Sequence, residues 1–194
     1  MPITFIATCL TAAQGGICAE AGIPVMPCRP SGGASRPFYA RSLGEITPGC
    51  VTDFSVHCFN SATLAVLAGL GVARATLHPE LNLAQIRDMK KPIPTEAILY
   101  GKLPLMKLGN PLTSGKSPEA TLTDRKNAQF FLHGDTVYNS VPLFMADKLQ
   151  HVEKSGLTHG RLIFTTETAE EAKAVIKAYL HRKPLRIPFT RGKF

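Results

Sequence analysis

The sequence lacks any apolar run of the length that a membrane-spanning helix needs. Such a helix takes about 20 consecutive apolar residues, and no stretch of this 194-residue chain approaches that length. Residues 3–13 are mildly apolar, but no lysine or arginine precedes them, which disfavours a secretory signal. These absences predict a cytoplasmic protein that does not enter the membrane.

Closely spaced cysteine pairs are also missing. Four of the five cysteines (Cys9, Cys18, Cys28 and Cys50) lie in the first fifty residues, and none of their spacings is C-x2-C. Zinc and iron–sulfur sites normally use such pairs, so free or buried thiols are favoured over a metal site. The sequence also has no G-x-G-x-x-G or Walker-type loop, and no Ser-His-Asp or Cys-His order can be assigned.

The composition is that of a folded domain, with 44% hydrophobic and 19% charged residues. The net charge of +8 permits an anionic partner without requiring one. The first fifty residues hold six prolines and seven glycines but few charges, which predicts an irregular, loop-rich segment with at most a weak helix near residues 11–21. Residues 51–194 are predicted to form one orderly domain.

Strands and helices alternate in that second part. Strands are predicted at residues 54–59, 72–77, 96–100, 129–132, 136–140 and 162–164. Helices are predicted at residues 62–70, with Ser61 as a possible N-cap, at 79–92, at 141–155, and after a capping box of Thr168 and Glu171. Residues 107–126 are expected to form a long loop. This alternation is typical of a parallel α/β fold.

Reacting groups in parallel α/β folds follow the carboxyl ends of the strands. That rule selects Glu80 and Glu167 as acids or bases, Lys102 as an anion anchor, and Asn60, Tyr100 and Asn139 as substrate-binding groups. Three of these residues also have a structural explanation. Glu80 could serve only the dipole of a helix start, and the two asparagines could only cap turns.

The C-terminal run after Leu180 contains five cations and no acid. It predicts weak RNA binding through phosphates by Arg186, Arg191 and Lys193, with an affinity that falls steeply with salt. The alternative is that the tail packs Ile187 and Phe189 against the domain and leaves its charges in solvent.

Seven short strings follow one another along residues 51–194. They are 54–61 (FSVHCFNS), 77–86 (LHPELNLAQI), 100–106 (YGKLPLM), 122–126 (LTDRK), 138–143 (YNSVPL), 164–167 (FTTE) and 189–192 (FTRG). In this order they resemble the collagenase-like peptidase family U-32. The resemblance implies the second half of a TIM-like (β/α) barrel, whose complete form takes about 250 residues. An open half-barrel is expected to pair with another copy or with a separate barrel half.

The resemblance also implies a function. The family includes proteins classed as peptidases and others that hydroxylate tRNA or ribosomal RNA bases with an iron–sulfur cluster. Its signature has the form E-x-F-x-x-G-[SA]-[LIVM]-C-x4-G-x-C. Glu96, Gly101, Leu103 and Gly109 fit it, whereas Pro104 and Pro111 stand at the cysteine positions. The expected function is therefore peptidase-like and without a cofactor, and the alternatives are an RNA-hydroxylation relative or a non-catalytic binding module.

Overall fold

A curled sheet of parallel strands forms the centre of the fold in the computed structural model, which describes residues 2–27, 38–109 and 119–194. In chain order the strands are β1 (Thr4–Cys9), β2 (Tyr39–Ala40), β3 (Val51–Thr52), β4 (Arg74–Thr76), β5 (Thr95–Gly101), β6 (Pro104–Lys107), β7 (Glu119–Thr123), β8 (Gln129–His133), β9 (Thr136–Tyr138), β10 (Leu143–Phe144) and β11 (His159–Phe164). The parallel strands lie in the order β1-β11-β5-β4-β3-β2, and β10 pairs antiparallel with β5. The fold is thus mixed α/β, with a parallel sheet curled as in half of a barrel, in line with the predicted class.

Helices cover the outer face of this sheet. They are α1 (Ala12–Glu20), α2 (Ser61–Gly69), α3 (Leu83–Asp88), α4 (Leu149–Lys154) and α5 (Ala169–His181). Their buried faces, which include Leu67, Ile86 and Val175, join the outward-facing strand residues in one hydrophobic core. The predicted capping box of Thr168 and Glu171 begins α5 as expected.

Residues 24–27 lie between the two outermost strands of the sheet. The amide of Ala7 in β1 donates to the carbonyl of Pro24 (2.9 Å), and the amide of Met26 donates back to Ala7 (2.9 Å). On the other side, the amide of Tyr39 in β2 donates to the carbonyl of Pro27 (3.2 Å). β1 and β2 thus each contact residues 24–27 at one point on their outer side, and pairing with a second copy or a separate barrel half stays a prediction.

The described part of the first fifty residues, 2–27 and 38–50, is not the irregular segment that the sequence predicts. β1 pairs with β11 along all six of its residues, so the N-terminal part belongs to the same sheet as the rest. The helix expected near residues 11–21 is present as α1, which begins at a capping box of Thr11 and Gln14. The strand was missed because its partner lies some 150 residues further along the chain, beyond the reach of any local pattern.

A second, antiparallel sheet replaces much of the predicted loop. Its order is β6-β9-β8-β7, and Lys107 and residues 119–123 belong to its strands, while residues 110–118 of that loop lie outside the described residues. β8 and β9 form a hairpin across Gly134 and Asp135, with Gly134 at a φ of 62°. A glycine in the first position of a two-residue turn is typical of such hairpins.

Several predicted elements were wrong in their bounds, among them the helix predicted at 79–92, which is the shorter α3 with Asn82 as its N-cap. The strand predicted at 54–59 ends earlier as β3, and Phe54–Val56 form a short 3-10 turn that packs Phe54 against the core. The helix predicted at 141–155 is shorter, because Phe144 in β10 donates its amide to Thr190 and pairs with Tyr100 instead. For residues 143–144, pairing with distant chain outweighs the local helix preference.

Candidate functional site

The carboxylate of Glu167 is held at the carboxyl end of β11. The hydroxyl of Tyr100, at the end of β5, donates to its Oε1 (3.0 Å), and the amide of Thr165 donates to its Oε2 (2.6 Å). The buried side-chain amide of Gln14 in α1 donates to the carbonyls of Thr165 (3.3 Å) and Glu167 (2.8 Å). The segment that carries Glu167 is therefore held in place by hydrogen bonds from β5 and from α1.

A cleft of about 390 Å³, here called the outer cleft, opens beside this carboxylate. Lys102 stands on its border and donates from Nζ to the hydroxyl of Thr166 (2.9 Å). The carboxylates of Glu167 and Glu171 border the same space. The rest of the wall is mostly apolar and comes from the chain before β10, from α5 and from the tail: Ser140, Val141, Pro142, Ala174, Val175, Leu185, Ile187 and Pro188.

The phenol of Tyr100 is a fixed hydrogen-bond donor to Glu167. Burial and the nearby charge of Glu167 raise the pKa of Tyr100 well above its usual value. The hydroxyl therefore keeps its proton at neutral pH, and it orients the carboxylate without competing for a proton.

A second cavity of about 230 Å³ opens inside the curl of the sheet, at the same strand ends, and is here called the mouth cavity. Asp53, Arg161 and Thr165 reach it from the ends of β3 and β11, and Pro104 and Tyr138 of the antiparallel sheet complete its wall. Its other lining residues are Thr8, Cys9, Leu10, Arg41, Phe54, Ile163 and Phe164.

A buried charge network forms the floor beneath the mouth cavity. The guanidinium of Arg161, with 3% of its side chain exposed, donates to Asp53 (2.6 Å) and to Glu96 (2.7 Å). Glu96 also accepts hydrogen bonds from Tyr39 (3.0 Å) and Thr76 (2.9 Å). Burial alone would lower the pKa of Arg161, but the carboxylates of Glu96 and Asp53 hold it above its ordinary value. The guanidinium therefore stays charged in spite of its burial.

The structure brings together three of the six residues predicted for catalysis and substrate binding. Tyr100, Lys102 and Glu167 meet at the outer cleft, whereas Asn60, Glu80 and Asn139 line neither cavity. The side chain of Asn60 accepts the amide of Thr63 (2.9 Å) and caps α2, one residue before the predicted cap Ser61.

Asn139 and Glu80, the other two residues, contact their neighbours in the sequence. The side chain of Asn139 accepts the amide of Ser140 (3.0 Å), which is a turn contact. Glu80 is exposed after β4, and its backbone amide lies 3.4 Å from Nδ1 of His78. For Asn60 and Asn139 the geometry matches the capping roles that the sequence left open.

The C-terminal tail packs its apolar side chains against the domain, as in the alternative to RNA binding, but one of its charges is paired and is not left in solvent. Ile187 contacts the core, and the ring of Phe189 lies 5.5 Å from that of Phe144. Arg191, predicted to bind phosphate, donates twice to Asp147 (2.7 and 2.8 Å). This contact lowers the pKa of Asp147. Arg186 and Lys193 are exposed, and RNA binding by the tail stays a prediction.

Sequence reasoning missed the residues of the mouth cavity. Asp53 directly follows β3 and would have been selected if that strand had been predicted at its true position. Arg161 did carry a signal, since an arginine within an apolar strand is rarely buried unless it is paired. Nothing in the sequence pointed to Glu96 and Asp53 as its partners.

The thiols of Cys9 and Cys18 form a hydrogen-bonded pair, with 3.7 Å between the two sulfurs. Cys9 borders the mouth cavity, and Cys18 is buried. The hydrogen bond and burial raise the pKa of Cys9 well above its ordinary value, while the same bond lowers the pKa of Cys18. Cys50 and Cys58 are also free and buried, and Cys28 lies outside the described residues.

Cys9 should therefore react slowly in spite of its partial exposure. At about pH 8 an ordinary thiol is partly ionised, and we expect iodoacetamide to alkylate native Cys9 more than about tenfold slower than in the unfolded chain. Peptide mapping by mass spectrometry measures the rate, and Cys18→Ala should raise it. Alkylation of native Cys9 at the unfolded rate would contradict the hydrogen-bonded pair.

The residues present do not fit an iron–sulfur cluster at the signature positions. Pro104 begins β6 and offers no ligand, and Pro111 lies outside the described residues. Within residues 2–27, 38–109 and 119–194, no three or more histidine, cysteine or acidic side chains are grouped to hold a metal ion.

None of the helices in the described part of the chain is long and apolar enough to cross a membrane. Comparison of the chain with protein-family models, with curated proteins and with solved structures finds no match in any of the three.

Proposed function

We propose that this chain is related to the U-32 peptidases, that its curled sheet is part of a TIM-like barrel, and that it binds and hydrolyses peptides in the outer cleft. One observation carries the proposal. Three of the strings that resemble this family, 100–106, 138–143 and 164–167, lie far apart in the sequence but contribute neighbouring walls of that cleft. Their convergence supports a shared role in binding one substrate.

The lining of the outer cleft favours a peptide over RNA. Glu167 and Glu171 place two carboxylates on its border against the single ammonium of Lys102, and two acids repel a phosphate backbone. Apolar side chains such as Val141 and Ile187 suit the side chains of a peptide. Lys102 can donate to a peptide carbonyl.

The hydrolytic step uses two of these groups. Glu167 accepts a proton from a water molecule as the water oxygen bonds to the scissile carbonyl carbon, and Lys102 stabilises the negative charge that forms on the carbonyl oxygen. The C–N bond then breaks, and Glu167 returns the proton to the leaving amine. Tyr100 and the amide of Thr165 act as positioning groups, because they orient the carboxylate.

Peptides from denatured collagen are the substrate for the test, and new amino termini are detected by mass spectrometry. We expect Glu167→Gln to lower kcat/KM by about 10²- to 10⁴-fold. Glu80→Gln is the matched control, because Glu80 is exposed and lines neither cavity. Equal losses in both variants would contradict the assignment of Glu167. Binding of the peptides without cleavage by the wild-type chain would favour a non-catalytic binding module.

The RNA-related alternative depends on the tail. Arg191 is already engaged by Asp147, which leaves Arg186 and Lys193 for phosphate contacts. For single-stranded RNA, the logarithmic salt slope should fall by about 0.7 for each of these cations removed. Equal tRNA binding by the wild-type chain and an Arg186→Ala, Lys193→Ala variant would count against this role.

A further inference from the structure

We propose that the mouth cavity is a separate binding site for a free α-amino acid with an apolar side chain. The cavity lies inside the curl of the sheet, and the outer cleft lies outside it against α5. The inference does not depend on peptide hydrolysis, because neither Glu167 nor Lys102 lines the mouth cavity. Thr165 does line it, but only its backbone amide has a role in the proposed hydrolysis.

Asp53 is the residue that binds the ammonium group of the ligand. Its Oδ1 is bound tightly by Arg161 at 2.6 Å. Its Oδ2 has weaker partners: the hydroxyl of Ser55 lies at 3.3 Å, and Nε of Arg41 lies at 4.0 Å. A carboxylate oxygen with long contacts can accept a shorter, charge-assisted hydrogen bond from an ammonium group.

Arg41 is the residue that binds the carboxylate group of the ligand. Its side chain is 54% exposed at the rim of the cavity. The 4.0 Å contact with Asp53 is its only ion pair within the described residues. A guanidinium binds a carboxylate through two parallel hydrogen bonds, so a ligand carboxylate offers Arg41 a better partner than Asp53 does.

The rest of the cavity wall contributes apolar surface and two buried threonine side chains. Thr8 and Thr165 are 7% and 6% exposed, and neither hydroxyl has a hydrogen-bond partner within the described residues. Both hydroxyl oxygens have almost no accessible surface, so a ligand in the cavity does not contact them. Phe54 and Ile163 add apolar surface for the side chain of the ligand.

Charge and size together select a zwitterion. A lone anion would face Asp53, and a lone cation would face Arg161 and Arg41, whereas an amino acid matches both signs at once. The volume of about 230 Å³ is below the range of about 300–1,000 Å³ typical of drug-sized ligands. A single amino acid is therefore a better match than a peptide.

Isothermal titration with L-leucine and L-phenylalanine tests the proposal on the full chain. Two further probes each lack one charged group: 4-methylpentanoate lacks the ammonium, and 3-methylbutylamine lacks the carboxylate. We expect both to bind at least about tenfold more weakly than L-leucine, since each loses a charge-assisted hydrogen bond. Equal binding of the three, or no binding of either amino acid at millimolar concentration, would overturn the site.

Substitutions distinguish a loss of amino-acid binding from a loss of folding and from a loss of the proposed peptide hydrolysis. Arg41→Gln should weaken L-leucine binding at least about tenfold and abolish the preference for L-leucine over 3-methylbutylamine. The exposed Arg87 serves as the matched control, and Arg87→Gln should bind as the wild type does. Glu167→Gln should also keep L-leucine binding, even if peptide hydrolysis is lost. Unchanged binding in Arg41→Gln would refute the role of Arg41.

Discussion

Arg161→Met is expected to lower the free energy of unfolding by about 3–5 kcal/mol. Methionine keeps an unbranched stem of similar length but removes the charge. Glu96, which has no exposed surface, and Asp53, which is nearly buried, would then lose the guanidinium that compensates them. Total stabilities of proteins are about 5–15 kcal/mol, so the loss is a large fraction of the whole.

Arg74 should reduce the loss of stability in Arg161→Met, but it cannot take over the contacts of Arg161. Its Nε lies 3.1 Å from Glu96 but does not form a hydrogen bond. The contact is therefore electrostatic and poorly aligned, and it leaves Asp53 without a buried cation. The guanidinium of Arg161 also lies 3.5 Å from the ring centre of Tyr39, and that stacking contact would be lost as well.

Urea unfolding followed by circular dichroism measures the effect of Arg161→Met. The matched control is Arg182→Met, since Arg182 makes a similar two-point ion pair with Glu153 at the surface. Solvent screens that pair, so its loss should have a much smaller effect. Adding Glu96→Gln to Arg161→Met should recover part of the stability, because it removes one of the uncompensated charges. Equal stability of Arg161→Met and the wild type would mean that the network is not ionic.

Gly101→Ala is the second substitution with a large expected effect, of about 2–5 kcal/mol of destabilisation. Gly101 ends β5 at a φ of 126°, which L-residues rarely adopt. A Cβ at this position would also collide with the carbonyl oxygen of Ile163 and lie 2.7 Å from its Cβ. Both atoms belong to β11, whose pairing with β5 leaves little freedom to move away.

Thermal and urea unfolding of Gly101→Ala measure this loss. Gly69→Ala is the control, because Gly69 lies in α2 and an added Cβ would have no atom within 4 Å. It should stabilise the helix by up to about 1 kcal/mol. A fully stable Gly101→Ala would show that β5 and β11 separate more readily than their pairing suggests. The proposed peptide cleavage should fall too, since Gly101 lies between Tyr100 and Lys102.

Local patterns in the sequence determined the elements that depend on near neighbours. The capping box of Thr168 and Glu171, followed by apolar residues at helical spacing, identified α5. The apolar run before it identified part of β11, and the rule of strand ends then selected Glu167 and Tyr100. These signals work because helix capping and side-chain periodicity involve residues only a few positions apart.

Only the tertiary structure decided which strands meet and which charges pair. β1 was missed because its partner β11 comes some 150 residues later in the chain. Residues 24–27 form backbone hydrogen bonds with both β1 and β2, but no turn motif in the sequence marks them as a pairing segment. Arg161 is separated by 65 residues from Glu96 and by 108 from Asp53. A lone arginine in a strand indicates that a partner exists, but its identity follows from the curl of the sheet, which brings three distant strands around one buried guanidinium.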